Sequence, residues 1–128
     1  VKKAARILVV DDEESICLAM KDYLEHRGHH VECAGALAEA EALLASDRFA
    51  VVIADLRLSP SDRSGGLRVL RRVREVSPET RTVLLTAYGS PEAEAEARRL
   101  GVDALLAKAE GLHEVASVVQ GLLAPAQA

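Results

Sequence analysis

Aromatic residues are nearly missing from this chain, which has no tryptophan, one phenylalanine and two tyrosines in 128 residues. Hydrophobic residues still make up 49% of it, so the interior has to be assembled from Leu, Val, Ile and Ala. A single domain of this length can bury roughly two thirds of its unfolded surface and needs no disulfide or metal staple. Cysteine is scarce too. Cys17 and Cys33 show neither a Cys-x-x-Cys spacing nor a histidine at ligand spacing. That spacing argues against a cysteine metal site or redox motif, and free buried thiols in a reducing cytoplasm are expected. No run approaches the ~20 apolar residues of a membrane-crossing helix, and no basic stretch leads into a long apolar one as in a secretory signal. Surplus positive charge is also lacking. A net charge of −4 argues against a bulk electrostatic grip on nucleic acid. The local run Arg68, Arg71, Arg72 and Arg74 falls at helical spacing and reads as a solvated helix face. His29 and His30 follow Gly28 and read as surface residues.

What the chain does have is periodic. Five short β-rich runs occupy Ile7–Val10, Val31–Ala34, Ala50–Ala54, Thr82–Leu85 and Ala104–Ala107. The first, third and fourth are continuously apolar, the pattern of strands covered on both faces in a parallel sheet. Helical patterns separate them. Ile16, Ala19, Met20, Tyr23 and Leu24 mark the first, which Gly28 can close in the left-handed region. Leu37, Ala40 and Leu44 mark the second, and Leu67, Leu70 and Val73 the third, stopping near Ser77-Pro78. Ser90-Pro91 opens the fourth with a capping serine and a proline at the first helical position. Its "EAEAEA" alternates like a strand, but Ala and Glu are strong helix formers and poor strand formers. With almost no large apolar residue, it is expected to be the least firmly anchored helix. Leu112, Val115, Val119 and Leu122 mark the fifth.

Strand and helix thus alternate five times. Right-handed crossovers with helices on both faces give an α/β fold, a five-stranded parallel sheet of order 2-1-3-4-5 doubly wound by five helices. The order reverses between the first and third strands, which leaves a crevice at their carboxyl ends. Residues 1–124 are expected to form this one domain, with 125–128 a tail or linker stub.

Four strands deliver polar residues to that edge. The first ends in Asp11-Asp12, the third in Asp55, the fourth in Thr86 and the fifth in Lys108. Glu13 and Glu14 read as first-turn acids complementing a helix dipole. Two carboxylates ~4 Å apart repel by ~4 kcal/mol at an effective dielectric of ~20, so three of them need a cation. Oxygen donors without His or Cys select Mg²⁺ or a similar hard ion. Lys108 adds a fixed positive charge. A metal, a lysine, a hydroxyl and a strand-end carboxylate together match phosphoryl transfer to a carboxylate oxygen, a reaction that needs positioning and neutralisation more than proton chemistry.

The segments "ILVVDDEES", "VVIADLRL", "VLLTAYG" and "GVDALLAK", in this order and spacing, resemble the receiver domain of two-component response regulators, a flavodoxin-like, CheY-like fold. The resemblance covers the chain from about Arg6 to Leu123. It implies that Asp55 is the phosphoacceptor, loaded by a phosphohistidine of a sensor histidine kinase or a phosphotransfer protein. It implies that Mg²⁺ is held by Asp12, Asp55 and the backbone carbonyl of Arg57, with Asp11 acting mostly through a water on the ion. It also implies that Lys108 pairs with a phosphate oxygen and that the Thr86 hydroxyl swings onto the phosphoryl group, with the small Ala87 leaving room. The output implied is a population shift on the face of the fourth helix, fifth strand and fifth helix, read by a downstream effector domain or protein, or used for homodimer formation. No direct nucleic-acid contact, membrane contact or enzymatic turnover is implied.

Three departures from the family pattern stand out. Ala109 replaces the usual proline after the lysine, and a cis bond without proline costs ~2.5–4 kcal/mol, so a trans Lys108–Ala109 bond is expected. Leu105 stands where the family often has an aromatic switch residue; Tyr88 could partly replace it, although its position suits control of water access better. The loop "RLSPSDRSGG" is about three residues longer than usual, with Gly65-Gly66 expected to recover the turn. Its length is either neutral or alters access to Asp55 or contact with a partner. Two other readings compete with a phosphoacceptor: a receiver-like protein-interaction module that is never phosphorylated, and a small aspartate-nucleophile phosphatase. The phosphatase is disfavoured because Arg57 stands where such enzymes carry a second aspartate.

Overall fold

The computed structural model describes residues 5–87 and 90–124. Its elements run β1 (Arg6–Val10), α1 (Glu14–Glu25), β2 (His30–Ala34), α2 (Leu37–Ser46), β3 (Val51–Asp55), α3 (Gly65–Val76), β4 (Arg81–Thr86), α4 (Pro91–Arg99), β5 (Ala104–Ala107), a single 3₁₀ turn (Lys108–Glu110) and α5 (Leu112–Leu123). The strands are all parallel and ordered β2-β1-β3-β4-β5, as the alternating pattern predicts.

Strand periodicity divides the interior into two layers. Leu8, Val10, Val52, Ala54 and Leu84 point to one face and pack with Leu44, Leu70, Val73 and Ala97 of α2, α3 and α4. Ile7, Val9, Val51, Ile53, Val83 and Leu85 point to the other and meet Met20, Leu24, Val115 and Val119 of α1 and α5. The three central strands are therefore apolar at nearly every position, because neither face sees water.

Some local expectations need adjustment. The buried stripe of α1 is Cys17, Met20 and Leu24, with Ile16 and Tyr23 half-buried at its edges and Ala19 exposed. A helix turns ~100° per residue, so a stripe read one position off still places its flanks on the core. Cys17 is buried, but Cys33 is only half-buried. Gly65 and Gly66 are the first residues of α3 rather than turn residues, and neither has a positive φ. Gly66 is needed for close approach, since a Cβ there would lie 2.4 Å from the Asp55 carbonyl oxygen. No cis peptide bond occurs among the described residues, so Lys108–Ala109 is trans.

Helix α4 buries only Ala97. It is held at its start by Ser90, whose hydroxyl accepts from the Ala93 N–H at 3.3 Å, and by the exposed Arg71–Glu96 pair at 3.5 Å. By contrast, α3 buries Leu67, Val69, Leu70 and Val73. At roughly 1.5–3 kcal/mol per large buried side chain, α4 is the loosely held member of the pair.

Candidate functional site at the carboxyl edge of the sheet

The backbone delivers each acid before its side chain does anything. The Asp11 N–H donates to the Ala34 carbonyl at 3.0 Å, and the Leu56 N–H to the Leu85 carbonyl at 2.8 Å. The strand ladders thus run on to the acids and set Asp11 and Asp55 side by side where β1 and β3 end. Both are buried, at 1% and 6% exposure, while Asp12 is exposed. One oxygen from each of the three carboxylates lies within 4.8 Å of the others.

Lys108 opens the 3₁₀ turn after β5 and reaches across β4 to this cluster. Its Nζ donates to Asp55 Oδ2 at 2.8 Å and lies 3.2 Å from Asp11 Oδ2. Glu13 Oε1 stands 3.6 Å from the same ammonium. Glu13 is thus part of the site's charge as well as the residue preceding α1, a contact that the dipole reading missed because it spans most of the chain. Asp11 Oδ1 accepts from the Glu13 N–H at 2.9 Å, which fixes the β1–α1 turn. Asp11 Oδ2 is buried without a hydrogen bond. The ammonium lies within ion-pair distance of it but is directed at Asp55.

Burial pushes the Asp55 carboxyl up from its ordinary range, and the hydrogen bond and charge of Lys108 only partly hold it down. Burial alone would pull Lys108 down, but its hydrogen bond and charge pairing with Asp55, and then Asp11, leave it raised. The buried carboxylate is therefore short of positive charge even with the lysine in place. Thr86 ends β4, buried at 9%, and its hydroxyl makes no hydrogen bond among the described residues. Arg57 lines the cleft above Asp55. Tyr88 lies outside the described residues.

One ammonium shared among several carboxylates, including a buried Asp11 oxygen that only this ammonium approaches among the described residues, is the environment a hard cation completes. The donor set is all oxygen, so the residues present fit a divalent ion. The five candidates Asp11, Asp12, Asp55, Thr86 and Lys108 all come from strand ends or the residues just after them.

The family model described as response regulator receiver domain matches residues 7–120. The chain belongs to that family. Among relatives, it is 36% identical over 107 residues to the alginate biosynthesis transcriptional regulatory protein AlgB of Pseudomonas aeruginosa, a match covering 84% of this chain and 23% of that one. The chain therefore spans under a quarter of that relative's length. Among solved structures, the chemotaxis protein CheY4 of Vibrio cholerae superimposes with a TM-score of 0.84 at 29% identity, covering 94% of this chain and all of the other. A response regulator protein from Burkholderia pseudomallei, solved with a phosphorylated aspartic acid, a calcium ion and citrate, gives a TM-score of 0.78 at 29% identity over 91% of this chain and 71% of that one. This receiver domain is thus a module of two-component signalling. No helix among its described residues is long and apolar enough to cross a membrane.

Proposed function

We propose that Asp55 accepts a phosphoryl group from a phosphohistidine on a sensor histidine kinase or phosphotransfer protein, with Mg²⁺ as the divalent ion. The observation that carries this reading is the single ammonium of Lys108, 2.8 Å from Asp55 and 3.2 Å from Asp11, beside three carboxylates whose oxygens converge.

Asp11, Asp12, Asp55 and the Arg57 carbonyl would hold the ion. When bound, Mg²⁺ neutralises charge on the carboxylates and on the incoming phosphoryl oxygens. The chain's own residues do the rest. Strands β1 and β3 fix the attacking carboxylate so that little orientation has to be lost during attack. The Asp55 oxygen bonds to phosphorus as the bond from phosphorus to the donor breaks. Lys108 stays within reach of the oxygens that gain charge, its own proton firmly held because its pKa is raised. Thr86, whose hydroxyl is uncommitted among the described residues, turns to donate to the phosphoryl group and draws the loop after β4 with it. That loop leads directly into α4, the helix with the least burial, so a small pull there shifts the population of the α4–β5–α5 face. A downstream effector domain or protein, or a second copy of the chain, reads that face. The acceptor is modified once per donor and is not an enzyme in the turnover sense.

Incubation with acetyl phosphate and Mg²⁺, followed by intact-protein mass measurement, tests this reading. A gain of one phosphoryl group that is absent in Asp55→Asn supports it. An unlabelled wild type would leave the protein-interaction module as the better reading.

A further inference from the structure

The long loop between β3 and α3 is built rather than slack. Leu58 is buried at 4% exposure beneath it. Its N–H donates to the Asp62 carbonyl at 3.1 Å, and the Asp62 N–H donates back to the Ser59 carbonyl at 3.0 Å. Residues 59–62 therefore close a tight turn with an antiparallel bridge between Ser59 and Asp62. Arg68 of α3 is paired with the Asp62 carboxylate, and a Cβ on Gly65 would lie 2.9 Å from both that carboxylate and Leu58. The extra length is thus clamped from three sides.

What the clamp presents is Arg63. It follows the turn directly, is exposed, and lines the same cleft of about 910 Å³ that contains Asp55, Lys108 and Asp12. Most arginines of this chain are held by an acid, among them Arg68, Arg71, Arg72, Arg81 and Arg99. The side chain of Arg63 makes no hydrogen bond or ion pair among the described residues. The same cleft is lined by Asp12, Glu13, Asp55 and Glu92 against Lys108, Arg57 and Arg63. The charged part of the lining is thus mostly acidic, and an anionic donor approaching Asp55 is favoured on the side of these cations.

We propose that Arg63 is a specificity-determining residue that recruits small dianionic phosphodonors, of the acyl phosphate class, to Asp55. The proposal rests on Asp55 being the phosphoacceptor. With acetyl phosphate the Asp55 oxygen bonds to phosphorus and the phosphorus–oxygen bond to the acyl group breaks. Acetate leaves with the electron pair, total charge is conserved, and no proton moves. With phosphoramidate the phosphorus–nitrogen bond breaks and ammonia leaves. Arg63 touches neither bond; it raises the local concentration of the more highly charged donor. For a unit charge about 8 Å from a donor in water, Coulomb attraction amounts to about a fivefold rate effect for a dianion and about twofold for a monoanion.

The test measures initial phosphorylation rates of wild type, Arg63→Ala and Arg63→Lys with Mg²⁺ at low ionic strength, using acetyl phosphate and phosphoramidate in parallel. Thermal unfolding is followed for all three. Arg63→Ala is expected to keep its melting temperature, lose about fivefold with acetyl phosphate and about twofold with phosphoramidate, and approach the wild-type rate at high salt. Arg63→Lys is expected to restore the rate. A wild-type rate in Arg63→Ala would overturn the proposal, as would equal losses with both donors that salt does not diminish. If wild type takes no label from either donor, the phosphoacceptor reading fails and this inference falls with it.

Discussion

The two edges of the sheet treat buried polar groups in opposite ways. At the amino edge, the Ser77 and Thr80 hydroxyls lie 2.7 Å apart, Thr80 donates to the Phe49 carbonyl at 2.7 Å, and the Thr82 N–H donates to Asp103 at 2.8 Å. Each of these named groups has a partner within the fold. At the carboxyl edge, among the described residues, Asp11 keeps a buried oxygen without a hydrogen bond, Thr86 leaves its hydroxyl uncommitted, and one lysine faces Asp11, Glu13 and Asp55 together. The same strands thus carry a self-satisfied end and an end that is satisfied only by something arriving. The phosphoacceptor proposed above sits at the second end.

The sharpest way to break this comparison is Asp55→Asn. Phosphorylation is expected to vanish altogether, while stability without metal is expected to rise by about 1–2 kcal/mol, because one of several crowded charges is removed and the amide still accepts from Lys108. Denaturant unfolding in the absence of divalent ions measures the second effect. A variant that is less stable than wild type would mean that the carboxyl edge is not strained.

The opposite edge should respond the other way. Thr80→Val keeps the shape but leaves the Phe49 carbonyl without the Thr80 hydroxyl, while the Ser77 hydroxyl keeps Glu79 at 2.9 Å. A loss of about 1–3 kcal/mol is expected, with an unchanged phosphorylation rate. If the rate falls with the stability, the two edges are coupled and the division drawn here does not hold.

A smaller effect separates the edges by ligand. A metal that binds only the folded state stabilises it by RT ln(1 + [L]/Kd), about 1.4 kcal/mol at ten times Kd. Millimolar Mg²⁺ is expected to raise the melting temperature of wild type and Thr80→Val equally, and that of Asp55→Asn much less. Equal increments in all three would place the ion elsewhere.

The sequence made one edge legible and left the other obscure. Asp11, Asp12, Asp55, Thr86 and Lys108 were readable because each directly follows or ends an apolar run, and the order of the runs fixes where their ends meet. The amino-edge network was not readable. Thr80 meets Phe49 across 31 residues and Asp103 meets Thr82 across 21, and no local periodicity encodes such pairings. The second role of Glu13 was hidden for the same reason, since its partner Lys108 arrives from the far end of the chain. The clamp of the β3–α3 loop was also hidden, because Arg68 reads as a helix-face charge and no local pattern ties it to Asp62.

The smallest expected effect concerns the wall of the reactive edge. Cys17 lies beneath it, with Sγ 3.7 Å from the Asp11 carbonyl oxygen, and Cys33 Sγ approaches the Cys17 carbonyl at 3.4 Å. Burial, followed by the neighbouring Cys33, pushes the Cys17 thiol up to about 12. At pH 8 only about one native Cys17 in ten thousand is then thiolate, against roughly a quarter of an ordinary cysteine with a pKa near 8.5. A thiol reagent should modify the half-buried Cys33 first and reach Cys17 only through opening of the edge above it. If the carboxyl edge opens locally, Mg²⁺ should slow Cys17 modification severalfold while leaving Cys33 almost unchanged, because an ion on Asp11 braces the backbone against Cys17. Thr80→Val, acting through global unfolding, should speed both thiols together. Cys17 protection that ignores Mg²⁺ but follows global stability would show that the reactive edge is as firmly closed as the satisfied one.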